Sequence, residues 1–292
     1  MEAEIEPCEI ENSHDILATR TQTLPLVVAS PHSGRHYPPD FVAAARLDRL
    51  ALRRSEDGFV DELFAHAPGL GAPLLRANFP RAYVDANREP FELDPRMFAD
   101  PLPTYANTRS ARVAAGLGTI ARVVANGADI YAGKLRLAEA MYRIRNYYWP
   151  YHNALRDLIA TTRERFGGCI LLDCHSMPSV GGPMDHDPGD NRVDFVVGDC
   201  HGTACSPRVS RTIERSLRDL GYHVTRNAPY SGGFVTRHYG RPEQGVHAVQ
   251  LEINRGLYMD EVQVRRGSNL PALARDMECV VAALGTLDPS RL

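Results

Sequence analysis

Short runs of consecutive apolar residues, each closed by turn residues, alternate along this chain with stretches whose apolar positions recur every three to four residues. The sharpest runs are Leu-Val-Val-Ala at 26–29 and Cys-Ile-Leu-Leu at 169–172. Both are continuous and shorter than a helix needs, so they read as strands covered on both faces, the signature of a parallel sheet. Residues 73–77, 81–85, 193–198, 222–225 and 245–253 read as further strands. Helical spacing covers 40–54, 56–67, 135–166 and 271–287, with Pro150 a kink or break in the third. Ser206-Pro207 opens another helix and Gly221 lies beyond its end. Residues 89–108, rich in Pro, Asp and aromatics, and 181–191 read as loops. Strands separated by helices predict an α/β fold with a mixed, largely parallel central sheet flanked by helices. No shift in composition divides the chain, so 1–292 reads as one domain with 1–23 peripheral.

Composition adds exclusions. With 43% hydrophobic and 24% charged residues, the chain is ordinary for a water-soluble globular protein. A net charge of −3 gives no reason to expect nucleic acid or an anionic membrane as partner. Met1-Glu2-Ala3-Glu4 is acidic and no apolar stretch follows it, so neither a secretory signal nor a membrane span is expected, and the cytoplasm is the expected location. Six cysteines, at 8, 169, 174, 200, 205 and 279, include no CxxC pair and read as reduced, mostly buried thiols.

The chemistry gathers where the apolar runs stop. The first leads into Ser30-Pro31-His32-Ser33-Gly34, the second into Asp173-Cys174-His175-Ser176. Ligand sites in open α/β sheets lie beyond the carboxyl ends of such strands, so His32 and His175 are candidate metal ligands. A hydrolytic metal site wants a third, acidic ligand, and Glu56 and Asp57 both follow His32 at the start of a predicted helix. Those acids could equally complement a helix dipole. Asp173 shares a strand face with His175 and could orient it, whereas Cys174 points to the opposite face. Ser33 and Ser176 remain candidate nucleophiles of a metal-free hydrolase, although no GxSxG turn surrounds them. Asn87-Arg88 could fork onto a carboxylate. Glu252 stands in a nearly continuous apolar strand, suited either to general base work or to a buried salt bridge, for instance with Arg255.

Taken together, these segments resemble the N-formylglutamate amidohydrolase family. The likeness rests on Ser-Pro-His-Ser-Gly at 30–34, Asp57 with 60–63, Arg81 to Arg88 and Asp-Cys-His-Ser-Met-Pro at 173–178. It continues through Val197-Gly-Asp199, Asn-Ala-Pro-Tyr-Ser-Gly-Gly at 227–233, Arg237-His-Tyr-Gly240 and Gln250-Leu-Glu-Ile-Asn-Arg-Gly-Leu-Tyr258. It implies a fold similar to zinc carboxypeptidases (phosphorylase/hydrolase-like), with one zinc per chain, or cobalt in its place. His32, His175 and Asp57 would hold the ion, with Glu56 the alternative acid. It further implies Glu252 as base and Arg81, Asn87 and Arg88 as oxyanion and substrate partners. Asn227, Ser231, Gly232, Arg237 and His238 would line the pocket. The expected reaction is hydrolysis of the linear amide of a small N-acyl amino acid, N-formyl-L-glutamate first. The alternatives are another N-acyl amino acid or small peptide, and a noncatalytic metal-binding protein.

Overall fold

A computed structural model of the chain describes residues 8–124, 126–183 and 187–292. The acidic start at 1–4 and part of the loop read at 181–191 lie outside them. Seven strands form one sheet: β1 (His14–Leu17), β2 (Leu26–Ser30), β3 (Leu74–Ala77), β4 (Cys169–Met177), β5 (Phe195–Gly198), β6 (Val224–Arg226) and β7 (Val246–Asn254). Their order is β1-β3-β2-β4-β7-β5-β6. The central four, β3, β2, β4 and β7, are parallel to one another. β1 is antiparallel to β3, β5 is antiparallel to β7, and β6 runs parallel to β5. The mixed, largely parallel sheet flanked by helices is therefore the fold.

Strand periodicity explains where the site sits. Successive side chains on a strand point to opposite faces. On β4, Ile170, Leu172 and Cys174 pack with Val249, Leu251 and Ile253 of β7 into one apolar layer, under the helices Pro207–Asp219 and Leu270–Gly285. Cys169, Leu171, Val246 and Ala248 face the other layer, under the helix Trp149–Phe166. Continuing on that second face, β4 next places Asp173 and His175, and β7 places Gln250 and Glu252. The register sets Asp173 opposite Gln250 and His175 opposite Glu252. One face of the sheet thus turns from apolar to polar within a single strand length.

Several expectations are corrected. Residues 81–85 form no strand but a turn in which Tyr83 and Val84 donate to Pro80 O and Asp85 to Thr119 O. Residues 14–17, for which no strand is expected, form the edge strand β1. The helix expected over 40–54 is two, Pro39–Ala44 and Arg49–Arg53, because Ala45 pairs with Tyr131 and Asp48 caps the second by accepting from Ala51 N at 2.8 Å. The helix read over 56–67 is shorter and divided, at Val60–Leu63 and Ala67–Leu70. All six cysteines are free. Among the described residues no helix is long and apolar enough to cross a membrane.

The irregular 81–88 segment needs partners for its carbonyls, and one helix supplies them. The chain runs helically from Leu137 to Phe166, interrupted by a π turn at Ile144–Tyr148 directly before Pro150, which then sits in the first turn of the resumed helix. In an unbroken α-helix, residues five apart lie about 140° away from a common face. The wider π turn brings Arg143 and Tyr148 to the same surface, with His152 one turn on. Arg143 donates to Tyr83 O at 3.2 Å, Tyr148 OH to Arg88 O at 2.7 Å, and His152 Nε2 to Ala86 O at 2.9 Å. Burial pushes the His152 imidazole down to about 3, so the ring is neutral and can hold one fixed tautomer. Replacing Tyr148 with Phe should leave the Arg88 carbonyl without its donor and cost about 1–3 kcal/mol in urea unfolding. An unchanged midpoint would mean the 81–88 segment does not depend on this helix.

Candidate metal centre

His32 follows β2 on a turn whose shape is imposed by close packing. A Cβ at Gly34 would lie 2.1 Å from Phe79 O, so no larger residue fits there. Within the turn, Ser33 Oγ donates to Asp57 O at 3.2 Å and accepts from Asp61 N at 3.1 Å, while Asp57 N donates to His32 O at 3.1 Å. These bonds bring the Asp57 carboxylate against the end of β2, where His175 arrives from β4. His32 Nδ1 and His175 Nδ1 then both face Asp57 Oδ2, at 3.2 and 2.8 Å, with the two ring centroids 4.8 Å apart. All three residues are buried.

The opposite nitrogens are held too. His32 Nε2 meets Asp85 Oδ1 at 2.7 Å, and His175 Nε2 meets Asp173 Oδ1 at 3.1 Å. A carboxylate on Nε2 draws the ring proton there and leaves Nδ1 as a lone pair. Two such lone pairs and a carboxylate oxygen converge on one point, and these ligating atoms lie within 4.8 Å of one another. Acceptors packed this way repel unless the rings take a second proton or a cation sits between them. Two imidazoles and one carboxylate match the donor set of a catalytic divalent metal. Charge argues the same way. Asp57, Asp85, Asp173 and Glu252 are buried here, against the guanidinium groups of Arg81, Arg88 and Arg255. The residues fit a metal ion.

The ring charges show the same demand. Burial opposes a charge on His175, yet Asp173 and Asp57 on either side hold its affinity for a proton well above the usual histidine range. Burial likewise opposes the Asp57 charge, and the His175 and His32 hydrogen bonds outweigh it and hold the carboxyl well below the usual range.

Glu56, the alternative acid, is not part of this cluster. Its carboxylate accepts from Tyr37 OH at 2.7 Å and from Arg53 Nε at 3.1 Å. Glu252 does not pair with Arg255, which instead donates to Asp57 Oδ1 at 3.1 Å and Ser176 Oγ at 3.0 Å. Glu252 accepts from Gln250 Nε2 at 2.7 Å, and burial pushes its carboxyl up to about 7. Arg81 Nη2 donates to Asp85 Oδ2 at 2.9 Å, with Nη1 4.0 Å from Asp57 Oδ1. Neither candidate serine meets a histidine: Ser33 is engaged with Asp57 O and Ser30, and Ser176 with Arg255 and Asp57. Cys174 is on the far face, its thiol raised well above the usual range by burial.

The expected substrate partners divide. Asn87 Oδ1 accepts from Val235 N at 2.8 Å and its Nδ2 lies 3.2 Å from His175 Nε2, so its side chain fastens the 233–236 segment beside the metal cluster. Arg88 is buried, donating to Leu117 O and Asn87 O at 2.8 Å each. Asn227 is engaged with Asp199, donating from Nδ2 at 2.8 Å and accepting from Asp199 N at 3.0 Å. All three are thus held by bonds within the chain. Ser231 O accepts from Cys200 N at 2.7 Å, and Gly232 packs where a Cβ would lie 2.7 Å from Cys200 Sγ. Arg237 and His238 are exposed on the helix Phe234–Tyr239, with His238 stacked on Phe234.

Sequence reasoning missed Asp85 and Arg255 as site residues. The signal for Asp85 was present: an acid between Tyr83-Val84 and Ala86, all buried, is as conspicuous as Glu252. It was hidden by reading the segment as a strand.

A profile of the N-formylglutamate amidohydrolase family matches residues 24–259. The chain belongs to that family. This amidohydrolase-family chain is 32% identical over 253 residues to the N-formylglutamate deformylase of Pseudomonas aeruginosa, covering 85% of this chain and 86% of that one. It is 29% identical over 251 residues to the N-formylglutamate deformylase of Pseudomonas putida, covering the same shares, 85% and 86%. The crystal structure of N-formylglutamate amidohydrolase from Ralstonia eutropha JMP134 superposes with a TM-score of 0.87 at 36% identity, over 96% of this chain and 99% of that one.

For this family member the geometry predicts one strong site for Zn2+ or Co2+ per chain in competition with a chromophoric chelator. His175→Ala and Asp57→Asn should abolish it, and Glu56→Gln should leave it intact. Asp85→Asn should weaken it about 10–100-fold through the freed His32 ring. Undiminished binding by Asp57→Asn would remove that carboxylate from the ligand set.

Proposed function

We propose that this chain is a metal-dependent amidohydrolase that cleaves N-formyl-L-glutamate to formate and L-glutamate. The observation that carries the reading is the register that puts Glu252 directly beside His175, with Arg81 next to the same cluster. The deformylase names of its Pseudomonas relatives support the substrate. His32, Asp57 and His175 would hold the ion, zinc in our reading. When bound, zinc supplies Lewis acidity to the acyl oxygen and to water.

The chain's own groups do the remainder. Glu252 takes the proton of the attacking water and returns it to the leaving nitrogen, a role that suits a carboxylate raised by burial. Arg81 lies among Asp57, Asp85 and Glu252 and presents its guanidinium to charge that develops on the acyl oxygen. Asp85 holds both His32 and Arg81, so ligand and oxyanion donor share one anchor. Arg237, exposed on the helix that follows Gly233, is a cation open to a substrate carboxylate. Asn87, Arg88 and Asn227 shape the pocket by fixing its walls.

Glu252→Gln should keep its metal and lose turnover by a factor on the order of 100 or more. Arg81→Ala should cost on the order of 3 kcal/mol in the barrier, about a hundredfold in rate. Both are checked by formate release from N-formyl-L-glutamate, with metal analysis on the same samples and chelation as control. A panel of N-formyl and N-acetyl amino acids decides the acyl group and side chain. Full metal loading with no turnover of any of them would turn the reading to a noncatalytic metal-binding protein.

A further inference from the structure

We infer that Gln250 is a positioning residue that ties the Glu252 carboxylate to the backbone of the pocket wall and selects which of its oxygens takes the proton. This rests on the reading of Glu252 as base. The two residues lie two apart on β7 and share a face, both buried.

The orientation of the Gln250 amide follows from its partners. Gly233 N–H can only donate, and it lies 2.7 Å from Gln250 Oε1, so that atom is the carbonyl oxygen. Nε2 must then donate to Glu252 Oε1, 2.7 Å away, in a bond strengthened by the carboxylate charge. Oε2 has no hydrogen-bond partner among the described residues. The relay therefore assigns Oε1 to structure and Oε2 to the proton. Without it, Glu252 has competing attractions, since His175, Arg81 and Arg255 all act on its charge. A carboxylate that swings onto a guanidinium becomes half of an ion pair and a poorer base.

The anchor at the other end is fixed. A Cβ at Gly233 would lie 2.2 Å from Asn87 Nδ2 and 2.4 Å from Oδ1, so only glycine brings its backbone this close. Two residues on, Val235 N donates to Asn87 Oδ1 at 2.8 Å, and Thr236 Oγ1 donates to Asp173 Oδ2 at 3.2 Å. The four residues 233–236 thus support Glu252 through Gln250 and His175 through Asp173. They follow directly on the 227–232 wall, so a substrate that settles against that wall meets a base held by the same backbone.

The test is kinetic. Gln250→Glu keeps an acceptor for Gly233 N–H and puts in place of the amide donor a second carboxyl that competes with Glu252 for one proton; Gln250→Met removes both bonds at similar length. Each should bind metal as wild type does and lose about 10–100-fold in kcat on N-formyl-L-glutamate, with KM changed less than about threefold. Added to Glu252→Gln, Gln250→Met should change the residual turnover by less than about twofold, because its effect passes through that carboxylate. Wild-type kcat in a folded Gln250→Glu, or an equal further loss in the Glu252→Gln background, overturns the inference. If Glu252→Gln itself turns over normally, the base reading fails first and this inference fails with it. If only the Gln250 variants are normal, the base reading stands alone.

Discussion

Three acceptors aimed at one point are the constraint around which this structure is arranged. Asp57 Oδ2 and the Nδ1 atoms of His32 and His175 would repel one another if the rings were neutral and nothing lay between them. The convergence persists because each imidazole is held from behind, by Asp85 and by Asp173. Those carboxylates are in turn held: Asp85 by Arg81 and the Asn87 backbone N–H, Asp173 by Thr236. Every layer exists to stop the one inside it from relaxing. A rigid, mixed nitrogen–oxygen donor set of this kind suits a small hard-to-borderline cation.

Much of this is legible in the sequence. Apolar runs that stop at His32 and His175 located the ends of two neighbouring parallel strands, and period-two alternation put Cys174 on the opposite side from Asp173 and His175. The buried acid Glu252 stood out because a carboxylate in an apolar run demands a reason. What escaped was whatever depended on irregular backbone. Residues 81–88 carry β-like residues, yet their carbonyls bond to side chains of a helix sixty residues away in sequence, which no local pattern reveals. The edge strand at 14–17 escapes for the opposite reason: it is not buried, and only Ile16 and Leu17 of its four residues are apolar, so no apolar run announces it.

Asn87, Arg88 and Asn227, which the sequence offers as substrate partners, already have bonds within the chain. The structure engages Asn87 with Val235 and His175, Arg88 with two carbonyls, and Asn227 with Asp199. A buried amide or guanidinium cannot remain idle while it waits for substrate, because the desolvation cost of an unpaired donor is of order 1–3 kcal/mol. Sequence shows that such a residue has hydrogen bonds to make but not with whom.

The division of labour between strands and loops follows from the same energetics. His175, Asp173, Gln250 and Glu252 project from the two longest and most buried strands, paired on both sides at Asp173, Gln250 and Glu252 and with β7 at His175. The 227–233 segment beside them is irregular by contrast, and Asn227 and Gly232 adopt positive φ angles of 59° and 126°. The two regions communicate through few bonds, among them Gly233 to Gln250 and Val235 to Asn87. A sheet face fixed in this way keeps His175 and Glu252 in register whatever shape the neighbouring 227–233 segment takes.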